Sequence, residues 1–252
     1  MSELPYIVGN WKMHGVRSTL SEARSIDRAA ARYPRLQVAL APPATLIHRM
    51  QDVVQQIGVG GQDCHAEETG AFTGDIAAAM LKDAGADFVI VGHSERRASY
   101  GESNATVKAK ADAALEAGLT VIVCVGESKA ERDAGKAEKV VTAQVRDSLP
   151  SDDSKVERIS VAYEPVWAIG TGDVASVSDI EAMHGAIRKE LVKRYGAAGN
   201  AIRILYGGSV KPENAEEILA ANDVGGALVG GASLTAESFT AIFGAATAER
   251  EE

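Results

Sequence analysis

Eight short apolar runs recur along this chain of 252 residues, and a segment with a helical pattern follows most of them. Most runs are almost continuously apolar instead of alternating, which is typical of strands buried on both faces, as in a parallel sheet. In chain order they read PYIVGN, LQVALAP, GVGGQD, DFVIVGH, TVIVCVGE, ISVAYEP, IRILYGG and GALVGG. Strand followed by helix, eight times over, predicts an α/β fold in which a (β/α)8 barrel of about 250 residues closes on itself.

Local signals in the connecting segments favour helices. Ser178 and Glu181 match a capping box, and Gly196 follows the last turn of the segment that they begin. Gly118 closes a second such segment, and Pro212 suits the first position of a third helix. The first two segments each carry an apolar stripe at helical spacing. The stripes are Ile180, Met183, Ile187 and Leu191 in one, and Val107, Ala111, Ala114 and Leu115 in the other.

A doubly wound open sheet is the main alternative fold. Such a sheet usually has fewer strands, and its first turn carries the pattern G-x-G-x-x-G, which does not follow the first apolar run here. No change of composition marks a linker, and 46% hydrophobic residues are enough for a large core. We therefore predict a single barrel domain over residues 1–252.

The acidic composition restricts the partners of the chain. Its 26 Lys and Arg against 35 Asp and Glu leave a net charge of −9, which argues against binding nucleic acid or an anionic membrane. The sequence has the pattern of neither a signal peptide nor a membrane span. Cys64 and Cys124 have no metal or redox spacing, so we expect reduced cysteines and a cytoplasmic location. We expect neither a metal nor a cofactor.

Polar residues stand where several predicted strands end, at the rim that carries the active site of a (β/α)8 barrel. The first strand ends at Asn10 and Lys12, and the fourth at His93 and Glu95. The sixth ends at Glu164, and glycine turns follow the seventh and eighth. Each feature alone has a structural explanation, such as a surface lysine or a hydrogen-bonded histidine. Because independent accidents should not place all of them on one rim, together they predict an active site.

Residues away from this set are interpreted differently. Arg96 and Arg97 are expected to form salt bridges. The loop 65–75 is too long for a simple connector, and Phe72 in it is either an exposed apolar knob or a plug for a partner's pocket. The remaining histidines are assigned structural or incidental roles: His14, His48, His65 and His184.

Six segments of the chain, taken in order, resemble the triosephosphate isomerase family: GNWKMHG, GAFTGD, VGHSERR, AYEPVWAIGTG, LYGGSV and VGGASL. They extend from residue 9 to residue 234, so the resemblance covers essentially the whole chain. It implies a TIM barrel that interconverts dihydroxyacetone phosphate and D-glyceraldehyde 3-phosphate in glycolysis and gluconeogenesis. It also implies a homodimer, in which the loop 65–75 docks into a second subunit and Thr73 reaches toward the neighbouring active site.

The resemblance implies a role for each matching residue. Glu164 is the expected catalytic base and His93 the electrophile, with Glu95 as a supporting carboxylate. Lys12 and Asn10 are expected to contact the substrate. The expected phosphate-binding residues are Gly170, Ser209, Gly230 and Gly231.

The chemistry of these residue types supports the same scheme, which is the one generally given for this family. A carboxylate beside Trp167 should become more basic when water is excluded, so we expect a raised pKa for Glu164. A helix that starts directly after His93 should keep its ring neutral, so that it donates a hydrogen bond to the enediolate. Residues 165–175 are predicted to form a lid, in which Asp173 departs from the family pattern.

Other functions are weighed against isomerisation. A Schiff-base aldolase needs a lysine on a barrel strand, and no predicted strand interior contains one. An indole-glycerol-phosphate type lyase is a further enzyme with a sugar-phosphate barrel. A barrel that only binds phosphate ligands should have lost a chemical residue while keeping its glycine turns. Because all the chemical residues are present here, we expect an enzyme.

Overall fold

Eight parallel strands form one closed barrel in the computed structural model, which describes residues 4–168 and 174–247. Each strand pairs with its neighbours in the chain, and the last pairs with the first. The strands are β1 Tyr6–Asn10, β2 Gln37–Ala41, β3 Gly58–Gly61, β4 Phe88–Val91, β5 Thr120–Val125, β6 Ile159–Tyr163, β7 Arg203–Tyr206 and β8 Gly226–Val229. The predicted (β/α)8 barrel is confirmed, and the open sheet is excluded because the strands close into a ring.

At least one α-helix follows every strand. The described residues contain α1 Leu20–Ala30, α2 Ala44–Gln51, α3 Ala78–Asp83, α4 Ser94–Tyr100, α5 Asn104–Glu116, α6 Lys129–Asp133, α7 Ala137–Ser148, α8 Val177–Tyr195, α9 Ala215–Ala220 and α10 Ala236–Thr247. Two helices follow β4, and two follow β5. The additional short helix after β4 is the one that begins beside His93.

Side chains at alternate strand positions fill the inside of the barrel. This inner cluster consists of Val8, Ala39, Ala41, Phe88, Ile90, Ile122, Cys124, Ala162, Leu205 and Leu228. The positions between them belong to a larger core cluster that includes helix residues, and Ile7, Val89 and Val161 there are fully buried. Because both faces of the strands are covered, the apolar runs in the sequence do not alternate.

The capping box of α8 lies two residues before the predicted position. The Ser176 hydroxyl accepts a hydrogen bond from the N–H of Asp179 at 3.2 Å, and the Asp179 carboxylate accepts one from the N–H of Ser176 at 3.3 Å. The predicted box of Ser178 and Glu181 is wrong, since both residues lie within the helix. The predicted end is confirmed, because Gly196 follows the helix with a φ of 59°.

His184 on α8 is fully buried, with its ring near those of Tyr163 and Tyr206. Its Nδ1 lies 3.0 Å from the carbonyl oxygen of Asp223, so the neutral ring donates a hydrogen bond from this nitrogen. Burial lowers the pKa of His184 to about 4. The ring is therefore a neutral core side chain, in line with the structural role predicted for it.

We expect His184 to weaken the fold in acid. The unfolded histidine titrates near 6.5 and the folded one near 4, so the unfolded chain takes up the proton first as the pH falls. The contribution of the neutral His184 ring to the free energy of unfolding is fully present above pH 6.5. About 3 kcal/mol of it is lost as the pH falls to about 4. The measurement is the free energy of unfolding against pH for the wild type and His184→Asn. The variant should lack this share of the acid loss, and parallel curves would refute the assignment.

Candidate active site

A cavity of about 320 Å³ opens at the carboxyl ends of the strands and collects most of the predicted site residues. Its lining contains Asn10, Lys12, His93, Glu164, Ser209, Gly230 and Gly231, together with Gly207, Gly208, Val210, Lys211, Leu228 and Ala232. Glu95 is not part of the lining but contacts Lys12 from outside it. Gly170 and Asp173 lie outside the described residues, as does the middle of the predicted lid.

The carboxylate of Glu164 is bound at the start of α4. Its Oε2 accepts a hydrogen bond from the N–H of Ser94 at 2.9 Å, and its Oε1 accepts one from the Ser94 hydroxyl at 3.3 Å. The Nε2 of His93 lies 2.9 Å from the same Oε1. Because Glu164 is only 1% exposed, these donors replace the water that a carboxylate would otherwise bind.

The hydrogen bonds of His93 determine which of its ring nitrogens carries the proton. His93 caps α4, and its Nδ1 accepts a hydrogen bond from the N–H of Glu95 at 3.2 Å. A ring nitrogen that accepts a hydrogen bond carries no proton, so the neutral ring has its proton on Nε2. The Nε2–H points at Glu164, and His93 is therefore oriented to donate a hydrogen bond into the cavity.

The contact between Glu164 and His93 shifts the pKa of both residues. Burial raises the pKa of Glu164, but His93 and the N–H of Ser94 outweigh burial and hold it below its ordinary value. Burial lowers the pKa of His93, but Glu164 outweighs burial and raises it. The expected rise for Glu164 and the expected fall for His93 are therefore both wrong in this arrangement, because each residue stabilises the charged form of the other more than burial opposes it.

The contact between the two residues is the main influence that opposes burial on both pKa values. His93 is the largest influence that lowers the pKa of Glu164. Glu164 is the largest influence that raises the pKa of His93, whereas burial and Lys12 lower it and Glu95 raises it. Loss of the contact therefore shifts the pKa of Glu164 upward and that of His93 downward.

Lys12 has a left-handed backbone conformation, with a φ of 53°, which is uncommon for a residue other than glycine. Its N–H donates to the side-chain oxygen of Asn10 at 3.0 Å, and its carbonyl oxygen accepts from the side-chain amide of Gln62 at 2.8 Å. These bonds hold the unusual conformation. The Nζ of Lys12 lies 2.6 Å from a carboxylate oxygen of Glu95, which fixes the cation at the rim.

Backbone groups form the opposite side of the cavity, after β7 and β8. Among the described residues, the N–H groups of Ser209 and Val210 meet no hydrogen-bond acceptor. The Lys12 side chain lies beside Gly230, since a Cβ at Gly230 would be in ordinary van der Waals contact with the Cε of Lys12, at 3.6 Å. Free N–H groups beside a lysine form a site for an anion such as phosphate.

Sequence reasoning missed three residues that shape this site. Ser94 binds Glu164, and its position directly after His93 was a usable signal. Lys211 lines the cavity after the seventh strand, and Gln62 binds Lys12 although no local sequence signal marks it.

Pro212 was predicted to open a helix, but the side chain of Asn214 accepts from the N–H of Lys211 at 2.8 Å and closes a turn there. The helix α9 starts only after that turn.

The two arginines after His93 behave differently from one another. Arg96 pairs with Asp63 at 2.8 Å and with Glu102 at 2.7 Å, as predicted. Arg97 forms no salt bridge within residues 4–168 and 174–247, so the prediction for this residue is wrong. Its guanidinium instead donates to backbone carbonyls after β4 and on β5, at 2.9 and 3.1 Å. Arg97 therefore joins two strand ends near the site.

A larger cavity of about 480 Å³ opens at the opposite end of the barrel, around the amino ends of the strands. It contains none of the predicted site residues. Two of its charged groups are engaged within the protein: Arg203 lies 5.4 Å from the ring of Tyr6, and Asp87 accepts from the N–H of Val59 at 3.0 Å. The predicted site residues that the structure describes thus lie in or beside the smaller cavity.

Two observations bear on metals and membranes. Within residues 4–168 and 174–247, no group of three or more His, Cys, Asp or Glu side chains is arranged to hold a metal ion. No helix in the same ranges is long and apolar enough to cross a membrane. Cys64 and Cys124 are both free and buried.

Known proteins resemble this chain along almost its whole length. The family model described as Triosephosphate isomerase matches residues 5–246. The triosephosphate isomerase of Caulobacter vibrioides is 56% identical over 241 residues, 94% of this chain and 95% of the relative. The enzyme of that name from Afipia carboxidovorans is 53% identical over 241 residues, 94% and 96% of the two chains.

A solved structure agrees with these matches. The crystal structure of triosephosphate isomerase from Bartonella henselae has a TM-score of 0.90 and 45% sequence identity, and the match covers 96% of this chain and 98% of that one. Identity at this level along nearly the full length goes beyond a shared fold. The chain belongs to the triosephosphate isomerase family.

Proposed function

We infer that this chain interconverts dihydroxyacetone phosphate and D-glyceraldehyde 3-phosphate, the reaction for which its family is named, within glycolysis and gluconeogenesis. We propose Glu164 as the base, His93 as the hydrogen-bond donor and Lys12 as the fixed positive charge. The observation that carries this assignment is the 2.9 Å contact between His93 Nε2 and the Glu164 carboxylate in one cavity. A proton acceptor and a donor that face each other can act on neighbouring atoms of one small substrate.

The phosphate of the substrate is assigned to the side of the cavity formed by Ser209, Gly230 and Gly231. The N–H group of Ser209, which has no acceptor within residues 4–168 and 174–247, supports this orientation. With a net charge of −9, the whole chain repels an anion, so local donors must hold it. Lys12 lies beside Gly230 and is close enough to His93 to lower its pKa, so its charge acts on the phosphate side and on His93. Asn10 uses its side-chain oxygen on Lys12, so its amide N–H groups remain available for the substrate.

Proton transfer starts when Glu164 leaves its resting partners and takes a proton from a substrate carbon. The C–H bond breaks, a carboxyl O–H bond forms, and the electron pair moves to the carbonyl oxygen to give an enediolate. The Nε2–H of His93 and the charge of Lys12 stabilise that oxygen. The carboxyl group then returns the proton to the adjacent carbon, and a proton moves between the two substrate oxygens.

A coupled assay of the purified chain in both directions tests this function. Isomerisation should be fast, with a kcat/KM near the diffusion ceiling of about 10⁸–10⁹ M⁻¹s⁻¹, for which this enzyme family is a standard example. Inhibition by inorganic phosphate should be competitive with the substrate. Phosphate binding without turnover would instead support the alternative of a binding protein that has lost its chemistry.

The alternative enzymes have less support. A Schiff-base aldolase needs a lysine on a barrel strand, and none of the strands β1 to β8 contains one. No observation in the cavity favours an indole-glycerol-phosphate type lyase over an isomerase. Isomerisation therefore stands as the proposal.

We propose that the chain acts as a homodimer through the loop 65–75. In this loop Phe72 is 43% exposed, although its ring stacks on His65 at a centroid distance of 4.0 Å. Met13, directly after Lys12, is 94% exposed. Gln62, just before the loop, binds the carbonyl oxygen of Lys12, so the loop and Met13 emerge near each other. Exposed apolar side chains in one region are typical of a protein–protein interface.

We expect Met13→Asp to shift the dimer toward the monomer and to lower activity. A carboxylate buried without a partner in an interface is strongly unfavourable, and Met13 adjoins the Lys12 backbone. The measurement is sedimentation velocity at micromolar concentration together with the coupled assay. Leu4→Asp, another exposed apolar site, is the control and should remain dimeric. A wild type that sediments as a fully active monomer would refute the dimer.

Two broader predictions also remain proposals. A single domain over residues 1–252 is supported by the pairing of β8 with β1, and one cooperative unfolding transition would test it. A cytoplasmic location is supported by the two free cysteines. Cell fractionation with an antibody against the chain tests that location.

A further inference from the structure

We infer that Gln144, on α7, is a positioning residue for Glu164 and acts through the turn that follows β5. Gln144 is not part of the cavity lining. The inference rests on the proposed function, because it assigns Gln144 a role only if Glu164 moves the proton.

The side-chain amide of Gln144 binds both backbone polar groups of one residue, Gly126. The N–H of Gly126 donates to the Oε1 of Gln144 at 2.7 Å, and the Nε2 of Gln144 donates to the carbonyl oxygen of Gly126 at 3.0 Å. Because β5 ends at Val125, this side chain supplies the partners that a neighbouring strand would supply. A side-chain amide bound at both of its polar atoms has one orientation, so Gly126 is fixed relative to α7.

Gly126 in turn contacts the backbone of the proposed base. A Cβ at Gly126 would lie 1.8 Å from the carbonyl oxygen of Glu164, so only glycine permits this approach. On either side of Gly126, the N–H of Glu164 donates to the carbonyl oxygen of Val125 at 2.7 Å, and the N–H of Val166 donates to that of Glu127 at 3.2 Å. A displacement of Gly126 is therefore transmitted to the backbone both before and after the base.

The turn is also joined to the segment that follows the base. The carboxylate of Glu127 is fully buried and accepts hydrogen bonds from the hydroxyl of Tyr163 at 3.1 Å and the indole N–H of Trp167 at 2.8 Å. These two aromatic residues flank Glu164 in the chain. The support of Glu164 thus extends from Gln144 through two residues of the turn, and none of these contacts involves the phosphate side of the cavity.

Removing both bonds from Gln144 should slow the chemistry without weakening phosphate binding. Gln144→Leu has a similar size and neither hydrogen bond, and we expect kcat to fall about 10- to 100-fold, since a displacement of about 1 Å has an effect of this order. The inhibition constant of inorganic phosphate should stay unchanged. Gln51→Leu is the matched control, because Gln51 on α2 donates to the carbonyl oxygen of Gly85. It should lower the melting temperature and leave kcat intact.

A double-mutant cycle separates positioning from general destabilisation. In a Glu164→Asp background the base is already displaced, so adding Gln144→Leu should cost much less than it costs in the wild type. Equal losses in the two backgrounds, or a folded Gln144→Leu with unchanged kcat, would overturn the inference. Gln144→Glu keeps the acceptor and loses the donor; it should show a smaller loss of kcat and replaces Gln144→Leu if that variant does not fold. An inactive wild type would refute the proposed function instead.

Discussion

Glu164→Gln should lower kcat by about 10⁴-fold, the upper range for removal of a general base. Glutamine has nearly the same size, and its side-chain oxygen can still accept the hydrogen bond from the N–H of Ser94. It cannot take a proton from carbon at a useful rate. The coupled assay measures the loss, and inhibition by inorganic phosphate measures binding, which should stay close to the wild-type value because the phosphate side of the cavity is unchanged.

Two further variants serve as controls for that result. Glu164→Asp keeps the carboxylate on a shorter side chain and should retain an intermediate activity. Glu181→Gln removes a carboxylate in the second turn of α8 that accepts a hydrogen bond from the side chain of Asn222 and does not line the cavity, so its activity should equal that of the wild type. Full activity in Glu164→Gln would mean that another group abstracts the proton.

Lys12→Met should lower kcat/KM by about 10²–10³-fold, the usual effect of removing one group that stabilises a developing oxyanion. Unlike the glutamate variant, it should also weaken inhibition by inorganic phosphate. Lys12 is the cation beside Gly230 in the cavity, and its side chain is only 28% exposed, so salt screens it incompletely. Steady-state kinetics and phosphate inhibition at one ionic strength give both quantities.

The two variants should therefore differ in phosphate binding. Glu164→Gln should lose turnover and keep phosphate inhibition, whereas Lys12→Met should weaken phosphate inhibition as well. Lys193→Met is the control for removal of one positive charge, because Lys193 has a 73% exposed side chain on the outside of α8. It should leave both quantities unchanged. If Lys12→Met kept normal phosphate inhibition, the phosphate would have to bind elsewhere.

The barrel was predictable because its rules act within short windows of sequence. Ile7 packs outward and Val8 inward, and both are apolar, so the first run already indicates a strand covered on both faces. The carboxyl-end rule for parallel barrels then brought Lys12, His93 and Glu164 to one rim. Their individual roles came from the resemblance to a family, and not from spacing.

The predictions that were wrong concern contacts between distant segments of the chain or the exact residue at which a helix starts. The pKa of Glu164 depends on Ser94, 70 residues away in the chain, and on the tautomer of His93. The capping box of α8 forms at Ser176 and Asp179, two residues before the predicted pair, because the exact start of a helix depends on where the preceding chain enters it. Gln144 shows no pattern at all, because its partner is the backbone of a glycine in another segment.

The central claim is that a carboxylate carries one proton between adjacent substrate carbons. It is tested by isomerising dihydroxyacetone phosphate in D₂O, trapping the product at once, and measuring deuterium on the carbon next to the aldehyde. The account predicts solvent deuterium in that position for the wild type, since a proton held on a carboxyl group exchanges with water. Glu164→Gln should lose the turnover and the labelling together. Unlabelled product formed at full rate by both the wild type and Glu164→Gln would contradict the account, because the hydrogen would then pass between the carbons without the carboxylate.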